Sequence, residues 1–323
     1  MTPTLKAAAL AALVALGGAA HAQTALRFAH PVPEADLQHA LATEFARLVE
    51  EGTGGELTVQ IFPNGQLGND QQMIDGTRSG IIDITLVGLN NYTGLVPEAG
   101  AFELPFIFPA REDAYAALDG AAGDAVAKRL AESGLHVLGY PENGYRNMTN
   151  DRGPIRAPGD LAGLRMRVNN SKALNDMFAL LDANPQQLPV AELYTALETG
   201  VVDAQDHPIG IVSSFKFNEV QDYLSLTQHA YAALGWTMNK AKFDGLTPEQ
   251  QQVVTDAAAQ AVDMQRAMVA EREEAMIAGL EAEGMEVNRD VDAAAFQAAI
   301  EPVWDAFVAE NGDALLGLIQ TAE

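Results

Sequence analysis

Three short apolar runs decide the fold of this chain: LRFAH at residues 26–30, LTVQIF at residues 57–62 and IIDITLV at residues 81–87. Short apolar runs that are closed by turn residues are typical of buried strands. Between them, residues 36–51 place apolar side chains at helical spacing, and residues 70–79 are predicted to form a second helix. Such a β-α-β-α-β order predicts parallel strands that are joined by crossover helices.

The same alternation returns further along the chain. Residues 136–140 and 164–168 are predicted strands, and residues 171–181 and 191–199 are predicted helices. The chain is long enough for about two domains and a large buried core. We therefore expect an α/β fold.

A long helix is predicted over residues 247–284. Thr247 suits the N-cap position, and Pro248 suits the first turn. At about 1.5 Å per residue, one helix of this length would span about 50 Å, more than the width of one small domain. The stretch could also be two helices with a break. We favour one helix that bridges two lobes.

The first 22 residues predict the site of action. Lys6 precedes an uncharged apolar run at residues 7–16, and Ala20-His21-Ala22 ends the segment. This order is typical of a cleaved secretory signal, and the run is too short to span a bilayer. We expect residues 1–22 to be a signal peptide and the mature chain to be exported and soluble, starting near Gln23.

The composition excludes several classes of function. The 323 residues contain no Cys, which rules out disulfides, thiolate catalysis and Cys-based metal sites. There are 44 Asp and Glu against 19 Lys and Arg, a net charge of −25. Such a surface repels nucleic acid and anionic lipid. A binding site for an anion must therefore be built locally from a few cations.

No known catalytic or metal-binding motif is present. The sequence lacks G-x-S-x-G, H-E-x-x-H and a Walker A loop, and His30 and His39 lack metal-ligand spacing. We expect no catalytic residue, no metal ion and no cofactor.

Arginine side chains are the best binding candidates. Arg167 lies near the end of the strand predicted at residues 164–168, and Arg146 follows the strand predicted at residues 136–140. Ligands of open α/β sheets bind beyond the carboxyl ends of the strands, where a guanidinium can hold a carboxylate by two hydrogen bonds. From the residues alone, Arg167 fits a ligand contact and a surface ion pair equally well. For Arg165 we expect an ordinary ion pair.

A polar cluster, Gln205-Asp206-His207-Pro208, follows an apolar run and suggests a turn that lines a site. His207 could donate to a ligand hydroxyl or be a plain turn residue. Trp236 and Tyr231 could line a pocket or belong to the core.

Four motifs give the chain a resemblance to a known family. They are PNGQLG at residues 63–68, ELPF at residues 103–106, DLAGLRMRV at residues 160–168 and ELYTALETGVVD at residues 192–203. In this order they resemble the P-x-x-Q-L-G, L-P-F, D-L-x-G-L-x-x-R-V and E-x-Y-x-A-L-x-x-G-x-V-D patterns of the DctP-type solute-binding proteins of tripartite ATP-independent periplasmic (TRAP) transporters. The resemblance covers nearly the whole mature chain.

This resemblance implies a two-lobed, periplasmic-binding-protein-like fold with parallel-rich sheets, a cleft, a hinge and a long helix that runs across both lobes. Lobe I would comprise residues 23–143 and about 233–272. Lobe II would comprise residues about 144–232 and 273–323.

The resemblance also implies that Arg167 clamps a substrate carboxylate and that Arg146 is a second cleft arginine. The sialic-acid-binding members have Asn, Glu, Phe and Asn where His30, Gly88, Val190 and His207 stand here, which argues against sialic acid. A cleft with two Arg, two His and several amides favours a small polyhydroxy acid such as a uronate or aldonate. A C4-dicarboxylate, with Arg146 on its second carboxylate, stays open. The candidate ligand-binding residues are Arg167, Arg146, His30, His207, Asp70, Asn69, Asn90, Asn91, Asn169, Gln205, Asp206 and Trp236.

By resemblance, the protein is expected to catch an organic acid in the periplasm, close around it and dock on the small and large TRAP membrane subunits. We expect a monomer with no nucleic-acid partner. Two other classes stay open, an exported enzyme that acts on acidic sugars and a periplasmic sensor that reports its ligand.

Overall fold

A computed structural model describes residues 23–322. The signal peptide predicted at residues 1–22 lies outside the described residues. Within 23–322, no helix is both long and apolar enough to cross a bilayer.

Ten strands are found in this part of the chain. They are β1 (Thr24–Ala29), β2 (Leu57–Phe62), β3 (Ile84–Gly88), β4 (Leu135–Gly139), β5 (Glu142–Asn150), β6 (Arg165–Val168), β7 (Asn184–Gln187), β8 (Ala204–Pro208), β9 (Tyr223–Asn239) and β10 (Glu286–Asn288).

Twelve α-helices accompany these strands in residues 23–322. They are α1 (Leu37–Gly52), α2 (Asp70–Ser79), α3 (Arg111–Asp119), α4 (Ala121–Glu132), α5 (Lys172–Leu180), α6 (Val190–Glu198), α7 (Ile209–Ser214), α8 (Lys240–Asp244), α9 (Pro248–Ala282), α10 (Ala293–Ala299), α11 (Glu301–Asn311) and α12 (Ala314–Gln320). Short 3-10 helices cover Leu89–Tyr92, Pro97–Glu103, Pro158–Leu161 and Phe217–Glu219.

Two parallel groups of strands form the centres of two lobes. In the first lobe, β1 lies between β2 and β3 and is parallel to both. In the second lobe, β6 lies between β7 and β8 and is again parallel to both. This arrangement confirms the α/β, two-lobed fold that the alternating pattern and the family resemblance indicated.

One long strand joins the two groups. The 17-residue strand β9 pairs antiparallel with β3 and β4 near its end and with β5 over its first part. β5 in turn pairs antiparallel with β8. The strand order is therefore β2-β1-β3-β9-β5-β8-β6-β7 in a single mixed sheet.

The predicted long helix is a single element, α9, of 35 residues. Thr247 caps it, as the sequence indicated, and also forms a capping box with Gln250. The helix packs against α1 in the first lobe and against α7 and β10 in the second. The prediction of one helix that bridges both lobes is thus confirmed.

The exact lobe boundaries stay a prediction. α10 packs against elements of the second lobe, and α12 packs against α3 and α4 of the first. α11 packs against both α5 of the second lobe and the 3-10 helix Pro97–Glu103 of the first. The end of the described chain therefore contacts both lobes.

Candidate functional site

A cavity of about 240 Å³ lies between the two lobes. The first lobe contributes residues that follow β1 and β3, and the second lobe contributes residues that follow β6 and β7. These positions are the carboxyl ends of parallel strands, where ligands of open α/β sheets bind. Eight predicted site residues line the cavity: Arg167, Arg146, His207, Asp70, Asn69, Asn90, Asn91 and Asn169.

Arg167 brings an unbalanced positive charge to this cavity. The side chain lies on β6 and is only 3% exposed. Its Nε and Nη2 atoms donate to the Leu188 carbonyl at 3.0 and 2.7 Å, and Nη1 donates to His207 Nε2 at 3.1 Å. Both partners are neutral acceptors. Arg167 forms no ion pair with a carboxylate of residues 23–322, although the charges of Asp206, Asp70 and Glu103 lie near enough to raise its pKa.

The environment of Arg167 disfavours its charge. Burial, together with the nearby charge of Arg146, lowers the pKa of Arg167 to about 10. The guanidinium still carries its proton at neutral pH. A buried cation that no carboxylate contacts directly is stabilised when an anion enters the cavity.

Arg146, in contrast, is already neutralised by the protein. Its guanidinium contacts the Asp206 carboxylate at 2.6 and 3.0 Å and Glu103 Oε1 at 3.3 Å. Burial opposes charge on Asp206, yet the guanidinium of Arg146 lowers the pKa of that carboxyl well below its usual range. The sequence placed Arg146 just after a strand, but it lies within β5. Arg146 therefore lines the cavity as one member of a balanced cluster.

The polar cluster that was predicted to be a turn is a strand, β8, because its polar groups are all satisfied by buried partners. Gln205 and Asp206 are fully buried behind the cavity and do not line it. Gln205 Nε2 donates to Thr149 Oγ1 at 2.8 Å, while Asp206 also contacts His229 Nε2 at 3.2 Å. Their side chains therefore bond to residues behind the cavity, and a ligand contact for them stays a prediction.

His207 lines the cavity but has no ring nitrogen free for a ligand. Nε2 accepts from Arg167, so Nδ1 carries the proton and donates to Gln205 Oε1. Burial and the charges of Arg167 and Arg146 hold the pKa of His207 well below its usual value. The suggested role of His207 as a donor to ligand hydroxyls is thus replaced by a role in orienting Arg167.

Two other candidates lie away from the cavity. His30, at the end of β1, is fully buried and contacts His39 Nδ1 at 3.1 Å through Nε2; burial lowers its pKa to about 3. Trp236 is fully buried in the core, with its ring centroid 5.7 Å from Phe28 and 4.8 Å from Phe45. Neither side chain lines the cavity: His30 packs against His39, and Trp236 belongs to the apolar core of the first lobe.

The start of α2 places an acidic group at the cavity. Asn69 caps this helix through a capping box with Gln72, and Asp70 is its first residue. Burial raises the pKa of Asp70, an effect that its own backbone N–H and the charge of Arg167 partly offset. Asp70 therefore supplies an acceptor from the first lobe, facing a cation of the second.

Several residues that line the cavity were not predicted: Gln38, Asn143, Asn170, Gln187 and Leu188. Gln187 is the last residue of β7 and Leu188 follows it; the sequence of this four-residue strand, NPQQ, has no apolar pattern. Gln38 lies in the first turn of α1, where helical spacing gives no indication that a polar side chain faces a ligand. For residues 23–322, no group of three or more His, Asp or Glu side chains is arranged to hold a metal ion.

Residues 28–311 match the family model for DctP, described as bacterial extracellular solute-binding protein, family 7. The chain belongs to this family. It is a TRAP transporter solute-binding protein rather than an enzyme, because the family and its structural neighbours are binding proteins of transport systems.

Individual relatives are similar over nearly their whole length. The 2,3-diketo-L-gulonate-binding periplasmic protein YiaO of Escherichia coli is 45% identical over 300 residues, which cover 93% of this chain and 92% of YiaO. A TRAP periplasmic solute-binding protein from Polaromonas sp. JS666, bound to D-erythronate, has a TM-score of 0.90 at 33% identity and covers 93% of this chain and 99% of its own. One from Sulfitobacter sp. NAS-14.1, with bound β-D-galacturonate, has a TM-score of 0.88 at 34% identity, with the same coverage.

Proposed function

We propose that this protein captures the anion of a small polyhydroxy acid, a uronate or an aldonate, with Arg167 holding its carboxylate. The observation that carries this proposal is the unbalanced charge of Arg167, which is buried at the cavity and has only neutral partners among the described residues. The guanidinium keeps donor capacity on Nη1 and Nη2 that a carboxylate would use.

The rest of the cavity suits hydroxyl groups. Its wall is rich in amide side chains, and the Asp70 carboxylate adds a further acceptor. Amides donate and accept, so they match the hydroxyls of a sugar acid better than an apolar chain. The acids bound by the relatives from Polaromonas and Sulfitobacter, D-erythronate and β-D-galacturonate, have this chemistry.

A C4-dicarboxylate is the second candidate, and the charges of the site give it less support. Its second carboxylate would need another cation, for which Arg146 was considered. The guanidinium of Arg146 is already shared by Asp206 and Glu103. A second carboxylate would therefore approach a guanidinium whose positive charge is already neutralised by carboxylates of the protein.

The proposal includes export and delivery. We expect cleavage of residues 1–22, action in the periplasm as a monomer, and transfer of the acid to the small and large TRAP membrane subunits. A sensor that reports its ligand would need the same cleft. Loss of acid uptake in a deletion strain, with rescue by the gene, would favour delivery over sensing.

Replacing Arg167 tests the proposed carboxylate clamp. Arg167→Ala should weaken the binding of D-galacturonate or D-galactonate by about 2–5 kcal/mol, since a desolvated charge pair is lost. At about 1.4 kcal/mol per tenfold, this corresponds to roughly 30-fold to 4,000-fold in Kd. Isothermal titration calorimetry measures the change.

Arg165→Ala is the matched control. This arginine lies two residues away on the same strand and pairs with Asp203 at the surface. Its removal should leave the affinity within about twofold, because exposed ion pairs contribute little. Near-wild-type binding by a folded Arg167→Ala protein would remove Arg167 from the site.

A further inference from the structure

Two polar atoms in the cavity wall have no partner. Seven buried side-chain nitrogen or oxygen atoms of residues 23–322 lack a hydrogen bond. Two of these belong to side chains that line the cavity, Gln38 Oε1 and Asn90 Nδ2. Gln38 is 3% exposed and Asn90 8%, so solvent contact is slight for both. A buried polar group without a hydrogen-bond partner destabilises the protein, and a ligand that pairs with this group removes the penalty.

The contacts of Gln38 determine what its free atom can bind. Its Nε2 donates to Asn143 Oδ1 at 3.2 Å, and its backbone N–H donates to Asp36 Oδ1 at 2.9 Å. The side-chain amide therefore leaves its oxygen without a partner, in a side chain that lines the cavity. An amide oxygen accepts hydrogen bonds and cannot donate them, so its partner must carry a hydrogen, as a hydroxyl does and a carboxylate does not.

Asn90 presents the opposite chemistry, and Gly88 makes its position possible. A Cβ atom at position 88 would lie 2.5 Å from Asn90 Oδ1 and 3.3 Å from Asn91 Nδ2. Any larger residue would push the Asn90 amide from its place, because real Cβ contacts are not that short. The absence of a side chain at Gly88 thus leaves room for the Asn90 amide in this position, where Nδ2 has no partner among residues 23–322.

We propose that Gln38 and Asn90 determine the specificity of the site, with Gln38 Oε1 accepting from one ligand hydroxyl and Asn90 Nδ2 donating to a ligand oxygen. This inference rests on the proposed function, in which Arg167 holds the carboxylate from the opposite lobe. It adds the reason why a polyhydroxy acid is preferred over a dicarboxylate. A second carboxylate at Gln38 would set acceptor against acceptor, close to the Asp70 carboxylate, which also lines this wall.

Calorimetry with two kinds of probe tests this specificity pair. The first probe is D-galacturonate or D-galactonate, whichever the wild-type protein binds more tightly, and the second is succinate. Wild-type protein should bind the sugar acid at least about tenfold more tightly than succinate. Gln38→Met and Asn90→Leu should each weaken sugar-acid binding by about tenfold or more, because each leaves one ligand group unpaired. Any succinate affinity should change by less than about threefold.

Two further variants guard against a general loss of structure. Gly88→Ala removes no polar group, yet it should reduce sugar-acid affinity by displacing the Asn90 amide. Gln252→Met makes the same chemical change as Gln38→Met on the exposed face of α9 and should leave binding unchanged. Thermal unfolding confirms that each variant is folded.

The failures of the two proposals are distinguishable. If sugar-acid binding depends on Arg167 but stays within about twofold in Gln38→Met and Asn90→Leu, the specificity pair is wrong and the carboxylate clamp stands. Equal losses for sugar acid and succinate also overturn the pair, as does wild-type protein that binds succinate as tightly as the sugar acid. Binding of the sugar acid that survives Arg167→Ala overturns the proposed function itself.

Discussion

Arg167 and Arg146 show how the same residue type is given two roles by its neighbours. Arg146 is balanced by carboxylates, whereas Arg167 is oriented by neutral acceptors, the Leu188 carbonyl and the His207 ring. His207 is in turn fixed by Gln205, which donates to Thr149. Orientation without neutralisation leaves the charge of Arg167 available to a ligand.

The sequence could predict that Arg167 lies at the cavity, but it could not predict that Arg146 is paired with carboxylates. Arg167 follows from a strand end and from one motif, both local signals. The partners of Arg146 are Glu103 and Asp206, which are 43 and 60 positions away along the chain. A pairing over such distances is created by the fold, and nothing in the local sequence indicates it.

The protonation of His207 provides a test at this scale. Burial and the charges of Arg167 and Arg146 depress its pKa, so the neutral ring should persist well below pH 6.5. The depressed pKa contributes stability above pH 6.5 that is lost as the pH falls towards the folded-state pKa. NMR of the imidazole nitrogens should show protonated Nδ1 and unprotonated Nε2 from pH 8 to 5.

Because His207 should stay neutral from pH 8 to 5, its titration should cause no change in sugar-acid affinity over this range. The imidazole NMR signals of His207 are assigned as those that disappear in a His207→Gln protein. A His207 titration midpoint near 6.5 would contradict the neutral acceptor that orients Arg167.

At the scale of elements, the predictions succeeded where the local signals were strong. β2 and α2 have the predicted bounds, and α9 begins at the predicted cap. β5, β7, β8, β9 and β10 were not predicted. β5 and β8 are buried but polar, with sequences ENGYRNMTN and AQDHP, so they lack the apolar runs that predict strands. Their polar groups are satisfied by tertiary partners such as the Thr149–Gln205 pair.

The contact between α9 and β5 can be tested through Gln265. Its side chain accepts from the Glu142 backbone N–H at 3.1 Å and donates to the Glu142 carbonyl at 2.6 Å, in a fully buried position. Gln265→Leu leaves two buried backbone groups without partners. The free energy of unfolding should fall by about 2 kcal/mol or more.

Urea denaturation measures this loss, and Gln252→Leu on the exposed face of the same helix is the control. That variant should change the free energy of unfolding by less than about 0.5 kcal/mol. Equal effects of the two substitutions would show that the hydrogen bonds from Gln265 to the Glu142 backbone do not contribute to stability.

At the scale of the whole molecule, the cavity is formed by both lobes. Arg167 comes from the second lobe, and Asp70 and Asn90 come from the first. Direct contacts also join the lobes: Ser214 donates to Asp36 at 2.8 Å, and Asn170 donates to Asn91 at 2.9 Å. A ligand that contacts both walls binds the closed arrangement better and shifts the population towards it.

Closure can be followed by small-angle X-ray scattering. Saturating D-galacturonate or D-galactonate should reduce the radius of gyration of the wild-type protein, because bridging contacts favour the closed form. Arg167→Ala should show no reduction at the same concentration, while Arg165→Ala should behave as wild type. An unchanged radius of wild-type protein at demonstrated saturation would rule out closure driven by the acid.

The unbalanced guanidinium of Arg167 also has a consequence for the empty protein. Burying a cation that no carboxylate contacts directly opposes folding, so Arg167 lowers the stability of the ligand-free protein. Binding of the acid offsets this cost, and its binding free energy raises the thermal stability of the protein. We therefore expect ligand-free molecules to unfold more often and to be degraded sooner, so that the cellular lifetime of the protein would follow the supply of the acid.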